Sequence, residues 1–216
     1  MKDKPSTVHV IDPDPQVRDC VRDLASSMNL RCSTYAAGRE FFAARTDSEP
    51  GCLVLEVRMP DMSWLQIQRR MSANGASLPL IFLSSQTDIS LAVELMRGGA
   101  VHYLLKPLRP LDAINAVQEA LAIDKSRREA ARREQGIAES IAVLSVKERQ
   151  VLRLVADGLS NDQIASALDI ALRTVELRRA HLIKKLGIKS SIGLLHFALL
   201  ANQHCRRYLD LSPIPG

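Results

Sequence analysis

The chain has 216 residues, 46% hydrophobic and 25% charged, which excludes a disordered or low-complexity polymer. No apolar run reaches membrane-spanning length and MKDKPSTVHV lacks a signal-peptide core, so a cytoplasmic, non-membrane protein is expected. The net charge of +5 is lopsided: residues 144–216 carry 11 Lys and Arg against 6 Asp and Glu, residues 1–122 carry 13 against 14, and a basic C-terminal third points to a polyanionic partner.

In chain order, apolar runs at 8–11, 31–35, 52–56, 80–84 and 101–105 predict strands. Amphipathic stretches between them, such as 17–28 and 91–97, predict helices. This alternation gives a parallel sheet covered on both faces. Five units in this length fit a flavodoxin-like α/β domain of strand order 2-1-3-4-5. The charged, proline-free stretch 124–140 predicts a helix that extends the last α/β helix, with Gly136 expected to break or bend it. From 144 onward only helices are predicted. The first, 145–158, has Ser145 as cap and Glu148 three residues on. The second, 160–168, is capped by Ser160. A turn at 169–171 leads to a third, 173–186, closed by Gly187, and a fourth spans 190–201, with an irregular tail at 209–216. The expected organisation is an α/β domain over 1–122, a helical linker over 123–143 and an all-α domain over 144–216. The four cysteines and five histidines show no metal-ligand spacing, so no metal site and no cofactor are expected.

Two short helices joined by a tight turn form a helix-turn-helix pattern. In the third helix Val175, Leu182 and Leu186 can face a core, leaving Arg178, Arg179, His181, Lys184 and Lys185 outside. Cations along one helix neutralise phosphates and reach base edges in a major groove. The stretch LSVKERQVLRLVADGLSNDQIASALDIALRTVELRRAHLIKKLGIKS resembles the LuxR/FixJ/NarL DNA-binding domain, through LSxxExxVLxLVAxGLSN, IAxxL, RTVE and KKLGIKS. The resemblance covers 144–201. It implies binding to double-stranded promoter DNA, with Thr174 on phosphate and Glu176, Leu177 and Ala180 facing base edges. It also implies a homodimer formed through the last helix, which carries Leu194, Leu195, Ala198 and Leu199; that stripe equally suits an intradomain core. The chain departs from the family pattern at Asp162, where lysine is common, at Arg178, where histidine is, and at His181, where asparagine is.

Further upstream, VHVID, CLVLEVRMPDMS, PLIFLSS and DISLAVELMRGGAVHYLLKPL resemble a response-regulator receiver over 7–122. In that family a histidine kinase passes a phosphoryl group to an aspartate ending the third strand. Two acidic residues after the first strand help hold Mg²⁺, and a Ser/Thr and a lysine contact the phosphoryl group. Dense negative charge holds the hard cation, which then shields the incoming group. Asp12, Ser84 and Lys106 match this pattern, Tyr103 takes the aromatic switch position, and the Lys106–Pro107 bond is implied to be cis. Glu56, however, stands at the phosphoacceptor position, Pro13 at the second acidic position, and Trp64 where a small residue is usual. Pro13 offers no carboxylate. Glu56 moves its carboxyl outward by roughly 1.5 Å, where a tolerance of about 0.5 Å applies. Trp64 is bulky enough to overlie the site.

The resulting expectation is a DNA-binding transcription regulator with a degenerate receiver, independent of phosphorylation and not an enzyme. Glu56 would either imitate the phosphorylated state by pairing with Lys106, or hold the domain inactive until another protein partner or a ligand binds. The imitation is partial, one charge against nearly two for an acyl phosphate. Three alternatives stay open. One is a conventional kinase-driven response regulator that tolerates glutamate. Another is a phosphatase of the haloacid-dehalogenase type, since Asp12-Pro13-Asp14 resembles its DxD, although no further acidic pair follows the fourth strand. The third is an interaction protein whose DNA-binding domain is silenced by Asp162 and Glu176.

Overall fold

The computed structural model describes residues 4–44, 49–73 and 78–209. The chain divides into two compact units, Met1–Arg128 and Glu129–Gly216. The first contains β1 (Thr7–Ile11), α1 (Pro15–Ser27), β2 (Arg31–Tyr35), α2 (Gly38–Ala44), β3 (Gly51–Glu56), α3 (Trp64–Ala73), β4 (Leu80–Ser84), α4 (Ile89–Arg97), β5 (His102–Leu105) and the start of α5 (Pro110–Ala142). The strands form one parallel sheet in the order β2-β1-β3-β4-β5. Each strand lies within a residue of its expected bounds, and β1, β3 and β4 are buried at every position, so their short continuous apolar runs leave little freedom in placement.

Alternation along the strands supplies both faces of the sheet. Val8, Val10, Cys52, Val54, Ile81 and Leu83 pack with Val21 and Ala25 of α1 and Ala116, Val117 and Ala120 of α5. Ile11, Leu53, Leu55 and Phe82 point the other way, onto Phe41 of α2, Ile67 and Met71 of α3 and Leu95 of α4. The register sets Ile11 against Leu55, Glu56 against Leu83 and Ser84 against Leu105. It therefore delivers Asp12, Glu56, Ser84 and Lys106 to one carboxyl-end crevice, where ligands bind in open α/β sheets. The Lys106–Pro107 peptide bond is cis.

α5 runs unbroken through Gly136, so of the expected break or bend the break does not occur. A single exposed glycine costs a helix only about 1 kcal/mol, too little to interrupt a ladder of this length. Asp124, which is 3% exposed, anchors the helix to the sheet: it accepts from the Gly51 N–H at 2.9 Å and is bridged by both of its oxygens to Arg128 Nε. Arg128 Nη2 reaches on to the Glu49 carbonyl at 2.6 Å.

The second unit continues with α6 (Val146–Ala156), α7 (Asn161–Leu168), α8 (Leu172–Lys185) and α9 (Ser191–Leu209). Ser145 and Ser160 each close a reciprocal capping box, with Glu148 and Gln163 respectively. Asp169 adopts the left-handed conformation that turns α7 into α8. A core of Ile137, Ile141, Val151, Leu152, Ile164, Val175, Leu182, Leu194 and Ala198 joins the helices. α9 outlasts the expected end at 201, since no glycine or proline interrupts it before Leu209. Beyond Leu209, the tail expected to be irregular lies outside the described residues.

Two measurements probe this packing. Asp124→Ala leaves the buried Gly51 N–H without its acceptor and removes the carboxylate from Arg128 Nε, and should lower stability by about 2–3 kcal/mol in urea unfolding. The Glu148 carboxylate is held down to about 2, first by the Lys185 ammonium and then by the Ser145 donors, against the opposing cost of burial. A depressed folded-state value stabilises above the ordinary pKa, so the contribution should be complete above pH 4.5 and be lost as pH falls through about 2. Acid unfolding of Glu148→Gln should lack that component of the wild-type curve.

Candidate functional site

At the crevice, Lys106 follows β5 and reaches back between two carboxylates. Its Nζ lies 2.6 Å from Asp12 Oδ2 and 2.5 Å from Glu56 Oε2. Asp12 is fully buried and Glu56 is 7% exposed. Burial disfavours the ammonium, but the two carboxylates outweigh it and hold the Lys106 pKa above the ordinary lysine value. The remaining carboxylate oxygens are engaged by the backbone: the Asp14 N–H donates to Asp12 Oδ1 at 2.9 Å, and the Arg58 N–H to Glu56 Oε1 at 3.0 Å. At this range, opposite charges removed from water interact far more strongly than on the surface.

Ser84 is buried at the same edge, but its hydroxyl accepts from the Gln86 N–H at 3.0 Å and makes no bond to Glu56 among the described residues. The Tyr103 hydroxyl donates to the Gln86 carbonyl at 2.6 Å, so the switch position and Ser84 meet on one loop residue. Pro13 is exposed. Arg18, which sequence reasoning did not single out, clamps the turn by donating from Nη1 to the carbonyls of Asp12, at 2.6 Å, and Pro13, at 2.9 Å. Trp64 corrects an expectation. Its ring stands edge-on to Phe82, with centroids 5.7 Å apart, and reaches Gly98 at the end of α4. It packs sideways into the core instead of overlying the crevice, because the apolar cluster beside α3 gives an indole more contact than an ion-pair rim does.

The helix-turn-helix surface sorts by helical period. Arg173, Glu176, Leu177, Ala180, His181 and Lys184 are all exposed or half-exposed and recur at the i, i+3, i+4, i+7 spacing of one face. Val175 and Leu182 are fully buried on the opposite face. Thr174, Arg178 and Arg179 stand on the flanks. Two residues expected to face DNA make side-chain bonds within the unit, Lys185 while remaining exposed. Lys185 Nζ lies 2.8 Å from Glu148 Oε2, and Arg179 Nη1 donates to Asn161 Oδ1 at 2.9 Å. Glu148 was visible in the sequence as a cap residue, but its second partner lies 37 residues away and leaves no local signal. Glu176 pairs with Arg173 at 3.3 Å in an exposed arrangement. Asp162 lies in the first turn of α7, where an acid complements the helix dipole. On α9, Leu194 and Ala198 are buried in the core while Ile192, Leu195 and Leu199 remain exposed, so the expected apolar stripe is divided between two faces.

No helix among the described residues is long and apolar enough to cross a membrane. Residues 8–118 match the response regulator receiver domain, and residues 142–198 match the bacterial regulatory proteins of the luxR family. The transcriptional regulatory protein TdiR of Thauera aromatica is 36% identical over 98% of this chain and 92% of its own length. The transcriptional regulatory protein FixJ of Azorhizobium caulinodans is 39% identical over 90% of this chain and 92% of its own. The solved structure of the response regulator StyR, 32% identical, covers 91% of this chain and all of its own, with a TM-score of 0.81. The receiver sheet, the helix-turn-helix unit and these full-length relatives together place the chain in the NarL/FixJ-type response regulators, DNA-binding regulators of transcription rather than enzymes.

Proposed function

We propose that this response regulator is a cytoplasmic, homodimeric promoter-binding protein whose receiver does not run on phosphoryl transfer. The observation that carries the reading is the Lys106 ammonium seated between Asp12 and Glu56. The receiver family implies Mg²⁺, and the residues present do not fit it. A hard cation needs several free oxygen ligands. Here the two carboxylates already share an ammonium, each keeps a backbone donor on its other oxygen, and Pro13 supplies none. No group of three potential metal-ligating side chains exists among the described residues. Glu56 engages Lys106 but not Ser84, so any imitation of a phosphoryl group rests on one of the two contacts. The conventional reading, with a histidine kinase as partner, is favoured by the retained Asp12, Ser84, Lys106 and Tyr103. The two readings separate on metal binding.

Trp64 is the only tryptophan in the chain and begins the helix that follows the crevice loop, so its fluorescence reports on that loop. Titration with Mg²⁺ to millimolar concentration should leave it unchanged. The double variant Pro13→Asp/Glu56→Asp should gain a saturable response, and Glu56→Asp alone should gain little. A saturable response of the wild-type chain would support the kinase-driven reading.

For DNA, the outward face of α8 supplies Glu176, Leu177, His181 and Lys184 toward the groove, with Thr174 and Arg178 flanking it toward phosphates. The exposed Ile192, Leu195 and Leu199 on α9 suit a second copy. A two-fold dimer would set its readers about one helical turn, or roughly 34 Å, apart on a symmetric site. Lys184→Ala should weaken binding to all sequences and lower the salt slope by about one. Arg178→Ala, on the flank, should leave the motif recovered by site selection unchanged. Relaxation at one base pair of each half-site would move Arg178 onto a base edge.

A further inference from the structure

We infer that Lys185 and Arg179 are positioning residues that fix the angle of α8, a role that rests on the DNA-binding reading above but differs from contact with DNA. Both look like phosphate contacts in the sequence, and both are bonded to acceptors within the unit, Arg179 half-buried and Lys185 with its stem still exposed. Lys185, the last residue of α8, meets Glu148 in the first turn of α6 at 2.8 Å. Glu148 is 7% exposed, and the same oxygen also accepts from the Ser145 N–H at 2.8 Å and the Ser145 hydroxyl at 2.9 Å. Swinging Lys185 out to a phosphate would leave that carboxylate buried without its cation, a larger loss than an exposed phosphate contact returns.

Arg179, in the middle of α8, holds Asn161, the first residue of α7, at 2.9 Å. α8 is thus tied at its end to α6 and at its middle to α7. Between these tethers its fully buried side chains are Val175 and Leu182. Apolar burial is non-directional, so it sets the buried side of the helix but leaves small rotations about the axis loosely fixed. Hydrogen bonds are directional and set them. The buried stripe decides which side of α8 faces the core, and the two tethers fix the finer angle at which Arg173 to Lys184 face outward.

The test is the affinity of the full-length protein for a duplex obtained by site selection, measured across a range of salt. Removing a phosphate-binding cation lowers the slope of log K against log salt by about one, whereas removing a tether lowers affinity and leaves the slope intact. Lys185→Ala and Arg179→Ala should each weaken binding about tenfold at the wild-type slope, the scale of a charged hydrogen bond. Lys184→Ala serves as the slope-lowering comparison. Asn161→Ala should reproduce Arg179→Ala, and the double variant should be no weaker than either single one. Thermal melts check folding; if Lys185→Ala does not fold, the Asn161 and Arg179 variants carry the test alone. A slope lowered by about one in Lys185→Ala or Arg179→Ala, or an unchanged affinity in both, overturns the assignment. A wild-type chain that selects no duplex would overturn the DNA-binding reading itself.

Discussion

The receiver unit is organised around a cation held between two buried carboxylates. Lys106 arrives from the end of β5, Asp12 from the end of β1 and Glu56 from the end of β3, so one ammonium ties three strands at the carboxyl edge of the sheet. Such an arrangement is stable only if every buried charge keeps its partner. The longer side chain of glutamate matters here. It lets the carboxylate span to Lys106 while its other oxygen still accepts from Arg58. Pro13 fits the same logic, since a further carboxylate at that turn would add negative charge that a single ammonium does not neutralise.

The helical unit repeats the device with different parts. Glu148 is a buried carboxylate that caps α6 and binds the ammonium at the end of α8. In both units a charge-assisted bond joins elements far apart in sequence, and in both it engages a lysine expected to meet phosphate: Lys106, which the receiver resemblance assigns to the phosphoryl group, and Lys185, which its place on the third helix assigned to DNA. The reading surface left on α8 is correspondingly mixed, with an Arg173–Glu176 pair, the apolar Leu177 and Ala180, and Lys184 near the end. In the proposed role, such a surface would draw its general attraction to DNA from few cations and its discrimination from side-chain shape.

Much of this was legible in the sequence. The strands announce themselves because buried parallel strands are short apolar runs, and the Ser145–Glu148 cap because its partners are three residues apart. The substitutions at Glu56 and Pro13 stand out against the receiver pattern, and the Glu56–Lys106 pairing could be anticipated from that pattern. The directions of long side chains could not. Trp64 turning onto Phe82, Lys185 onto Glu148 and Arg179 onto Asn161 depend on neighbours supplied by distant segments. The Asp124 anchor is invisible for the same reason, since its acceptor role is fixed by Gly51, 73 residues away. Gly136 misled because local propensity was weighed without the length of the helix around it.

The central claim is that the Lys106 ion pair closes the crevice to phosphoryl chemistry. The most direct test is intact-mass measurement of the full-length protein after incubation with acetyl phosphate and Mg²⁺. The account predicts the mass of the unmodified chain. A stable added phosphoryl group, located by fragmentation on Glu56, would contradict it.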